Sequence, residues 1–338
     1  MPQTYKLALL DDYQKVALRM ADWDRLRKRG VEITVFNEPF SSVEDAAAKL
    51  VPFDMLGLLR ERTAFPRALI EKLPNLKFMV LTGARASSLD DKAATERGVP
   101  ISNTPGGGSN ASTAELCWAL LMSCARDLAK AERLMRTGGW HDGIRQMVVL
   151  EGKRLGVLGL GRLGSRVAGY ARAFGMDVVA WSQNLTAEKA AQGGAKLVSK
   201  DELLATSDFV TIHLVLSDRS RGLIGAPELA RMKKTAILVN TSRGPIVDEA
   251  ALIAALQDGT IAHAGLDVYD KEPLPKGHPL TRLDNVTLVP HLGYVVEESY
   301  RHFYGGTVED IEAWLDGKPI NVINPAALLA DRERSARS

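Results

Sequence analysis

The sequence predicts an α/β protein with two doubly wound domains, each built on a parallel sheet. Its length of 338 residues, at roughly 150 residues per domain, corresponds to about two domains. Short apolar runs alternate with amphipathic segments along most of the chain, as expected for strands joined by helical crossovers. The segment from Asn103 to Asn110 (NTPGGGSN) is the strongest break in this alternation, and we expect a hinge there.

The composition excludes several classes of protein. Hydrophobic residues make up 46% and charged residues 25%, close to the average for globular proteins, which argues against disordered and fibrous chains. The formal net charge is +2 and no long basic block is present, so nothing indicates a nucleic-acid partner. Cys117 and Cys124 lie on an apolar helical segment, where we expect buried thiols rather than a disulfide framework.

The N-terminal segment gives no sign of export or membrane insertion. Its short apolar run ends at Asp11 and Asp12, and a secretory signal needs about 7 to 15 apolar residues. No stretch approaches the roughly 18 uncharged apolar residues that cross a bilayer. We therefore expect a cytoplasmic protein with no membrane partner.

The first hundred residues predict a parallel sheet, because helices of crossover length separate the strands. Ser41 and Glu44 have the spacing of a capping box before one of these helices. The predicted strands run from Lys6 to Leu10, Val31 to Phe36, Met55 to Leu59 and Phe78 to Leu81.

A long helix from about Ser112 to Arg136 follows the break, with Ser112 and Glu115 as its capping box. A second strand and helix alternation starts after it, and a last helix from about Val296 to Leu315 follows. The predicted strands of this part run from Arg154 to Leu158, Asp177 to Trp181, Phe209 to Leu214, Ala236 to Asn240 and His263 to Asp267.

A glycine motif follows the strand that ends at Leu158 and opens the next helix. Glycine permits a tight turn at its first position, lets a pyrophosphate approach the backbone at the second, and lets helix pack on strand at the third. Glycines also mark ordinary turns, but a strand before and a helix after favour a Rossmann dinucleotide site. The predicted cofactor-binding residues of the motif are Gly159, Gly161, Arg162, Leu163 and Gly164.

The end of the next strand lacks the carboxylate that usually binds the adenosine ribose. The strand runs into Ser182, Gln183 and Asn184, and no arginine follows immediately to bind a 2′-phosphate. We expect Ser182 beside the ribose and NAD(H) as cofactor, with NADP(H) left open and no metal.

Polar residues follow three later strands. Arg243, Glu272 and His291 each lie just beyond an apolar strand, at the sheet edge where ligands bind in open α/β folds. An arginine that binds a carboxylate and a histidine held by a glutamate suit hydride transfer to a 2-keto acid. The alternatives are an arginine in a packing ion pair, a solvated turn glutamate and a loop histidine whose hydrogen bonds are satisfied.

The run from Asn240 to Leu280 (NTSRGPIVDEAALIAALQDGTIAHAGLDVYDKEPLPKGHPL), with LVPHLG after it, resembles the D-isomer-specific 2-hydroxyacid dehydrogenase family. Similar segments, including ELLATSDFVTIHLVL, the glycine motif and NTPGGGSNASTAE, extend the resemblance over roughly residues 50–320. It implies an enzyme that interconverts a 2-keto acid and a D-2-hydroxy acid with NAD or NADP.

The resemblance also implies roles for individual residues. Arg243 would bind and polarise the substrate, and His291 would be the general acid and base, its pKa raised by Glu272. Asp267 would hold the nicotinamide carboxamide, and His213 and Thr241 would line the cofactor cleft, although both positions also suit strand-end residues without cofactor contact. Backbone at Gly83, Ala84 and Arg85 would bind the substrate carboxylate.

The sequence departs from the family pattern in its substrate loop, where Arg85 replaces a glycine. Arg60 and Arg62 follow the third strand and carry further positive charge. We hypothesise a substrate with a second anionic or polar group; the alternative is that these arginines pair with Glu61 or Asp90 at the surface. Two further departures are Val215, in place of a common proline, and Tyr294, near His291, where the family often has a small residue.

The resemblance implies a Rossmann NAD(P)-binding domain, residues 105–298, inserted in a flavodoxin-like substrate domain of residues 1–104 and 299–338. It further implies an active site in a cleft between domains and a homodimer formed through the nucleotide domain. Two rivals remain, a non-catalytic NADH-sensing scaffold of the corepressor type and a formate dehydrogenase. The lack of a long low-complexity extension argues against the first, and Glu272, in place of the usual glutamine, argues against the second.

Overall fold

The structure is a computed structural model that describes residues 4–83, 86, 88–104 and 110–329. The chain divides into two compact units, one formed by residues 1–109 and 296–338 and the other by residues 110–295. Each unit is built on one sheet whose paired strands all run parallel. The predicted fold class, two doubly wound α/β units, is confirmed.

The first unit contains a five-stranded sheet in the order β2-β1-β3-β4-β5, the flavodoxin-like order. Its strands are β1 (Tyr5–Leu9), β2 (Val31–Val35), β3 (Met55–Leu58), β4 (Phe78–Thr82) and β5 (Ile101–Thr104). The helices between them are α1 (Asp24–Arg27), α2 (Val43–Leu50), α3 (Arg67–Ile70) and α4 (Asp91–Glu96), with a 3-10 turn at Ala17–Arg19.

The second unit contains a seven-stranded sheet in the order β12-β11-β10-β9-β6-β7-β8. Its strands are β6 (Arg154–Leu158), β7 (Asp177–Trp181), β8 (Lys196–Leu197), β9 (Phe209–Ile212), β10 (Ile237–Asn240), β11 (His263–Leu266) and β12 (Val286–Leu288). Its helices are α5 (Asn110–Arg126), α6 (Leu128–Arg136), α7 (Arg162–Ala173), α8 (Ala187–Gln192), α9 (Lys200–Thr206), α10 (Ala226–Arg231) and α11 (Glu249–Gln257), with 3-10 turns at Gly244–Ile246 and Pro279–Arg282.

The strand order of the second unit is that of a Rossmann sheet extended by one strand. The direction in which strands are added reverses between β6 and β9, and ligands of open α/β sheets bind at such a reversal. The central strands are buried on both faces, which explains their continuous apolar sequences. This burial makes the sheet a rigid support for the loops at its carboxyl edge.

The chain returns to the first unit through its last helix, α12 (Glu297–Leu315). Trp314 stacks on Phe78 of β4 at 5.3 Å between ring centroids. A Cβ at Gly306 would lie 2.8 Å from the Thr104 side chain of β5, so glycine lets the helix approach the sheet closely. Helix α12 thus covers the strands β4 and β5.

The prediction of one long helix from Ser112 to Arg136 is wrong in one respect. The segment forms two helices, α5 and α6, which are separated at Asp127. Asp127 has a left-handed backbone (φ 49°), and its buried carboxylate lies 4.0 Å from Arg145 Nε. A tertiary contact of this kind is invisible to helical periodicity. Both cysteines are free and buried in α5, as predicted.

Two predicted helix caps also need correction. Helix α5 begins at Asn110, so Ser112 lies inside it, and its hydroxyl donates to the carbonyl of Gly293 instead of capping the helix. Helix α2 is capped by Ser42, whose side chain accepts from the Asp45 backbone, one position beyond the predicted pair. Among the described residues, no helix is long and apolar enough to cross a membrane.

Candidate active site

The strand ends of the second unit form one aligned row. Register pairs Trp181, Leu158, Ile212, Asn240, Leu266 and Leu288 with one another across the sheet, each with its neighbour. The next residue along each of the first five strands in this row is a predicted site residue: Ser182, Gly159, His213, Thr241 and Asp267. The predicted cofactor residues therefore share the carboxyl edge of the sheet.

The glycine loop has the backbone that the motif requires. Gly159 has a left-handed φ of 96°, and a Cβ there would lie 2.9 Å from the backbone of His213. A Cβ at Gly164 would collide with the carbonyl of Gly159, so the third glycine lets α7 pack against the loop. Leu163 packs against the core, whereas Arg162 is exposed at the first position of α7.

The start of α7 fits the pyrophosphate of a dinucleotide. Gly161 is the N-cap residue of this helix, so no side chain caps the N–H groups of the first turn. A Cβ at Gly161 would meet no atom within 4 Å. No contact within the described protein requires glycine there, whereas a phosphate close to the backbone would. The helix dipole and the free N–H groups of its first turn favour such an anion.

His213 presents a second sign of a ligand at this edge. Its Nε2 is shielded from solvent and has no hydrogen-bond partner among the described residues, although the residue as a whole is half-buried. Burial lowers the pKa of His213 to about 4, so the ring is neutral at physiological pH. A buried polar atom without a partner costs free energy, which a bound ligand would recover. Thr241, at the end of β10, is also buried.

Arg243 is held on a tight turn after β10. The side chain of Asn240 stabilises this turn with two hydrogen bonds. It donates to the Arg243 carbonyl at 2.9 Å and accepts from the Ser242 amide at 3.0 Å. A Cβ at Gly244 would collide with the backbone of Tyr269, so only glycine lets the turn pack against the segment after β11. The guanidinium of Arg243 is half-buried, and its Nη1 donates to the Ser242 carbonyl.

Glu272 and His291 form a direct pair. His291 Nδ1 lies 2.5 Å from Glu272 Oε2, and the two side chains are 17% and 24% exposed. The other oxygen, Oε1, accepts from the Tyr269 amide at 3.0 Å, which fixes the carboxylate plane. A histidine bound at Nδ1 in this way presents Nε2 for proton transfer.

The loop that carries His291 is strained and tied down. His291 has a left-handed backbone (φ 53°), a conformation that costs about 1–3 kcal/mol and concentrates at functional sites. Asp267, which is buried, accepts from the amides of Leu292 at 2.5 Å and Gly293 at 3.1 Å. The structure thus gives Asp267 a role as support for this loop; its predicted contact with the nicotinamide stays a prediction.

Three contacts support this loop, and two of them, those of Ser112 and Thr113, were not anticipated from the sequence. The hydroxyls of Ser112 and Thr113 both donate to the Gly293 carbonyl at 2.8 Å. The ring of Tyr294 meets the His291 ring edge to face, with 5.9 Å between centroids. Only the departure of Tyr294 from the family pattern gave a sequence signal for any of them.

In the first unit, Arg60 lies against the predicted substrate loop. A Cβ at Gly83 would collide with the Arg60 guanidinium, and Gly83 has a left-handed φ of 93°. The amide of Gly83 donates to Thr104 Oγ1 at 3.0 Å, which holds the loop to β5. Ala84 and Arg85 lie outside the described residues. The described part of the chain contains no group of three or more histidine, cysteine or acidic residues placed to hold a metal.

Comparison with known proteins identifies the family. Residues 118–293, just over half of the chain, match the profile of the D-isomer specific 2-hydroxyacid dehydrogenase, NAD binding domain. A glyoxylate reductase from Aeropyrum pernix is 42% identical over 264 residues, which cover 76% of this chain and 78% of that protein. A D-3-phosphoglycerate dehydrogenase from Archaeoglobus fulgidus is 37% identical over 302 residues, which cover 89% of this chain but only 56% of that protein.

A crystal structure of a phosphoglycerate oxidoreductase from Vibrio cholerae O395 shares the fold, with a TM-score of 0.86 and 35% identity. The alignment covers 93% of this chain and 100% of that one. This similarity extends over both units and therefore goes beyond the nucleotide-binding part that the family profile covers. The chain belongs to the D-isomer specific 2-hydroxyacid dehydrogenase family of NAD(P)-dependent oxidoreductases, the family that its motifs resemble.

Proposed function

We propose that this protein interconverts a 2-keto acid and a D-2-hydroxy acid by hydride transfer. The observation that carries the proposal is the pair of His291 Nδ1 and Glu272 Oε2 at 2.5 Å, on a sheet edge that also carries Arg243. These residues follow β12, β11 and β10, three neighbouring strands. The pair supplies a proton donor and acceptor, and the arginine supplies a fixed cation for a carboxylate.

In reduction, His291 gives a proton from Nε2 to the carbonyl oxygen as that oxygen gains charge. Glu272 stabilises the imidazolium before the transfer and fixes the ring orientation. Arg243 binds the substrate carboxylate and stabilises the charge on the reacting oxygen, an effect worth about 3–4 kcal/mol for a preorganised donor. A nicotinamide held near His213, Thr241 and Asp267 would supply the hydride for the carbonyl carbon.

The cofactor would be held at the glycine loop. Backbone at Gly159, Gly161 and Gly164 and the start of α7, with Arg162, would receive the pyrophosphate, and Ser182 would lie by the adenosine ribose. His213, Thr241 and Asp267 would line the nicotinamide end. The open space at Gly161 and the unpartnered His213 Nε2 support this placement.

The substrate would carry a second anionic or polar group. Support comes from Arg60, whose guanidinium lies against Gly83 at the carboxyl edge of the first sheet. Arg85 would add a second cation to the same loop. Asp90, one of the surface partners considered for these arginines, caps α4 and lies 3.9 Å from Arg67 Nε.

A panel of 2-keto acids tests both parts of this proposal. Glyoxylate, pyruvate, hydroxypyruvate, oxaloacetate and phosphohydroxypyruvate would be reduced with NADH and with NADPH, following absorbance of the reduced cofactor. We expect turnover of at least one acid, with a preference for acids that carry a second polar group. In Arg60→Ala and Arg85→Ala that preference should fall. Equal preferences in all three proteins would refute the substrate hypothesis.

The same assay, with formate as an additional substrate, distinguishes the proposed function from the two alternative functions. A non-catalytic NADH-sensing scaffold would bind the dinucleotide and reduce none of the acids at a useful rate. A formate dehydrogenase would instead reduce NAD⁺ when formate is added. Neither outcome is compatible with a 2-hydroxyacid dehydrogenase.

We also propose a homodimer formed through the second unit. Helix α6 buries none of its side chains, and Leu128, Met135 and Trp140 are exposed in and just after it. Exposed apolar side chains concentrated in one segment indicate a surface that a partner covers. Light scattering on a sizing column should give a dimer for the wild type and a monomer for Met135→Lys. A monomeric wild type would refute the proposal.

A further inference from the structure

We propose that Arg219 recognises the 2′-phosphate of NADP(H), so that this enzyme prefers NADP(H) over NAD(H). The inference rests on the proposed function, because it assigns a specificity to the same cofactor site. It replaces the expectation of NAD(H), which depended on finding no arginine in the sequence directly after β7. In the structure, an arginine from a different loop, Arg219, reaches the end of β7.

Arg219 reaches the end of β7 from the loop after β9. Its Nη1 donates to Gln183 Oε1 at 3.4 Å, and Gln183 is the second residue beyond β7. Strands β7 and β9 flank β6, which places them about 10 Å apart in the sheet. The contact therefore crosses over the end of β6, which leads into the glycine loop.

This position coincides with the place where a bound dinucleotide puts its adenosine ribose. The end of the second Rossmann strand meets the ribose hydroxyls, and an arginine near it accommodates a 2′-phosphate. Here the strand-end residues Ser182, Gln183 and Asn184 are all uncharged, so nothing on that strand end repels an anion. An amide and a hydroxyl at that strand end can donate further hydrogen bonds to phosphate oxygens.

The loop that presents Arg219 has a defined shape. Ser220 is buried, and its hydroxyl donates to the Val215 carbonyl at 2.7 Å and accepts from the Ser217 amide at 2.8 Å. These bonds close a turn and leave the Arg219 side chain on its exposed side. A preorganised arginine loses less freedom when it binds a phosphate than one on an unstructured loop would.

The charge of Arg219 is available to a ligand. None of the described carboxylates lies within ion-pair distance of it, and it donates a hydrogen bond to the neutral amide of Gln183. Guanidinium groups bind phosphate through charge-assisted, often bidentate hydrogen bonds. A 2′-phosphate would replace the long contact with Gln183 by a shorter and stronger one.

Direct binding measurements test the proposal without relying on turnover. Dissociation constants for NADPH and NADH would be measured by isothermal titration calorimetry on the wild type and three single variants. Arg219→Ala removes the cation, and Gln183→Glu adds a carboxylate at an exposed position without changing the size of the side chain. Arg231→Ala is the control, since it removes an exposed arginine of α10 whose partner is Asp201. Circular dichroism melts would confirm that each variant folds.

We expect the wild type to bind NADPH more tightly than NADH, by about tenfold or more. Arg219→Ala should lower this ratio by about tenfold, Gln183→Glu should lower it further or reverse it, and Arg231→Ala should leave it unchanged. Tighter binding of NADH by the wild type, or an unchanged ratio in Arg219→Ala, would overturn the inference and leave the proposed function intact. Failure to bind either dinucleotide would contradict both.

Discussion

Replacing Glu272 by glutamine tests the proton-transfer role of His291 most directly. The side chain keeps its size, and its Oε1 atom can still accept from the Tyr269 amide, so the loop after β11 should keep its place. The variant removes the negative charge 2.5 Å from His291 Nδ1, in a site where the two side chains are only 17% and 24% exposed. It therefore changes the charge of the pair with little change in packing.

The expected effect follows from the sign of that charge. A carboxylate in contact with the ring favours the imidazolium and so raises the pKa of the histidine. Without it, the protonated form that reduction requires is lost at lower pH. The descending limb of the reduction rate against pH should move to lower pH by about one unit or more, so that reduction at pH 8 falls about tenfold or more. In the oxidation direction, which requires the neutral ring, the ascending limb should move the same way.

Steady-state rates between pH 5 and 9, followed by absorbance of the reduced cofactor, measure both limbs. Glu249→Gln is a matched control, since Glu249 Oε1 lies 3.1 Å from His278 Nε2 in a pair of similar burial, 21% and 16% exposed. That variant should keep the wild-type profile. If a folded Glu272→Gln protein has limbs at the wild-type positions, Glu272 does not act through the charge of His291.

Three further predictions concern other parts of the site and the fold. Arg243→Lys keeps a positive charge but loses the planar fork, so kcat/KM should fall about 100-fold or more; a smaller loss than about fivefold would argue against bidentate substrate binding. Asp267→Asn places an amide N–H against a backbone N–H of the His291 loop, and should lower kcat together with the free energy of unfolding, by about 1–3 kcal/mol, in kinetic and urea-denaturation measurements. Burial raises the pKa of Asp310 from an unfolded value of 3.8 to about 7, so the folded protein holds an extra proton between these values and its stability falls as pH rises through them. Asp310→Asn should therefore raise Tm more at pH 8 than at pH 5, and an equal change at both would contradict the assignment.

The regular strands of the fold were predictable because burial on both faces leaves a continuous apolar run. β6 and β7 begin and end at the predicted residues. The strands β5 and β8 were missed for different reasons. β5 ends in Asn103 and Thr104, which open a segment rich in turn-forming residues, and β8 has only two residues. In both cases the segment is a strand because it pairs with a neighbouring strand, and this pairing cannot be predicted from the local sequence.

For the candidate site, the sequence indicated which residues lie along one edge of the sheet, but it did not indicate the contacts between them. Gly159, Arg243, Glu272 and His291 follow strand ends, so topology alone places them along one edge. The contact of Arg219 with Gln183 joins residues 36 positions apart, and its existence depends on the shape of a loop. Sequence spacing therefore indicated a nucleotide site but did not indicate this contact, on which the proposed preference for NADP(H) depends.

The loop that carries His291 shows why motif residues alone are not the whole site. A histidine with a left-handed backbone conformation, such as His291, persists only where the surrounding hydrogen bonds outweigh its strain of about 1–3 kcal/mol. Four hydrogen bonds do this, two from loop amides to Asp267 and two from the hydroxyls of Ser112 and Thr113 to the Gly293 carbonyl. At about 1 kcal/mol each, these four bonds together are enough to offset the strain. Loss of one of them should loosen the loop and lower kcat without moving the pH limbs, whereas loss of the Glu272 charge should move the limbs with the loop in place.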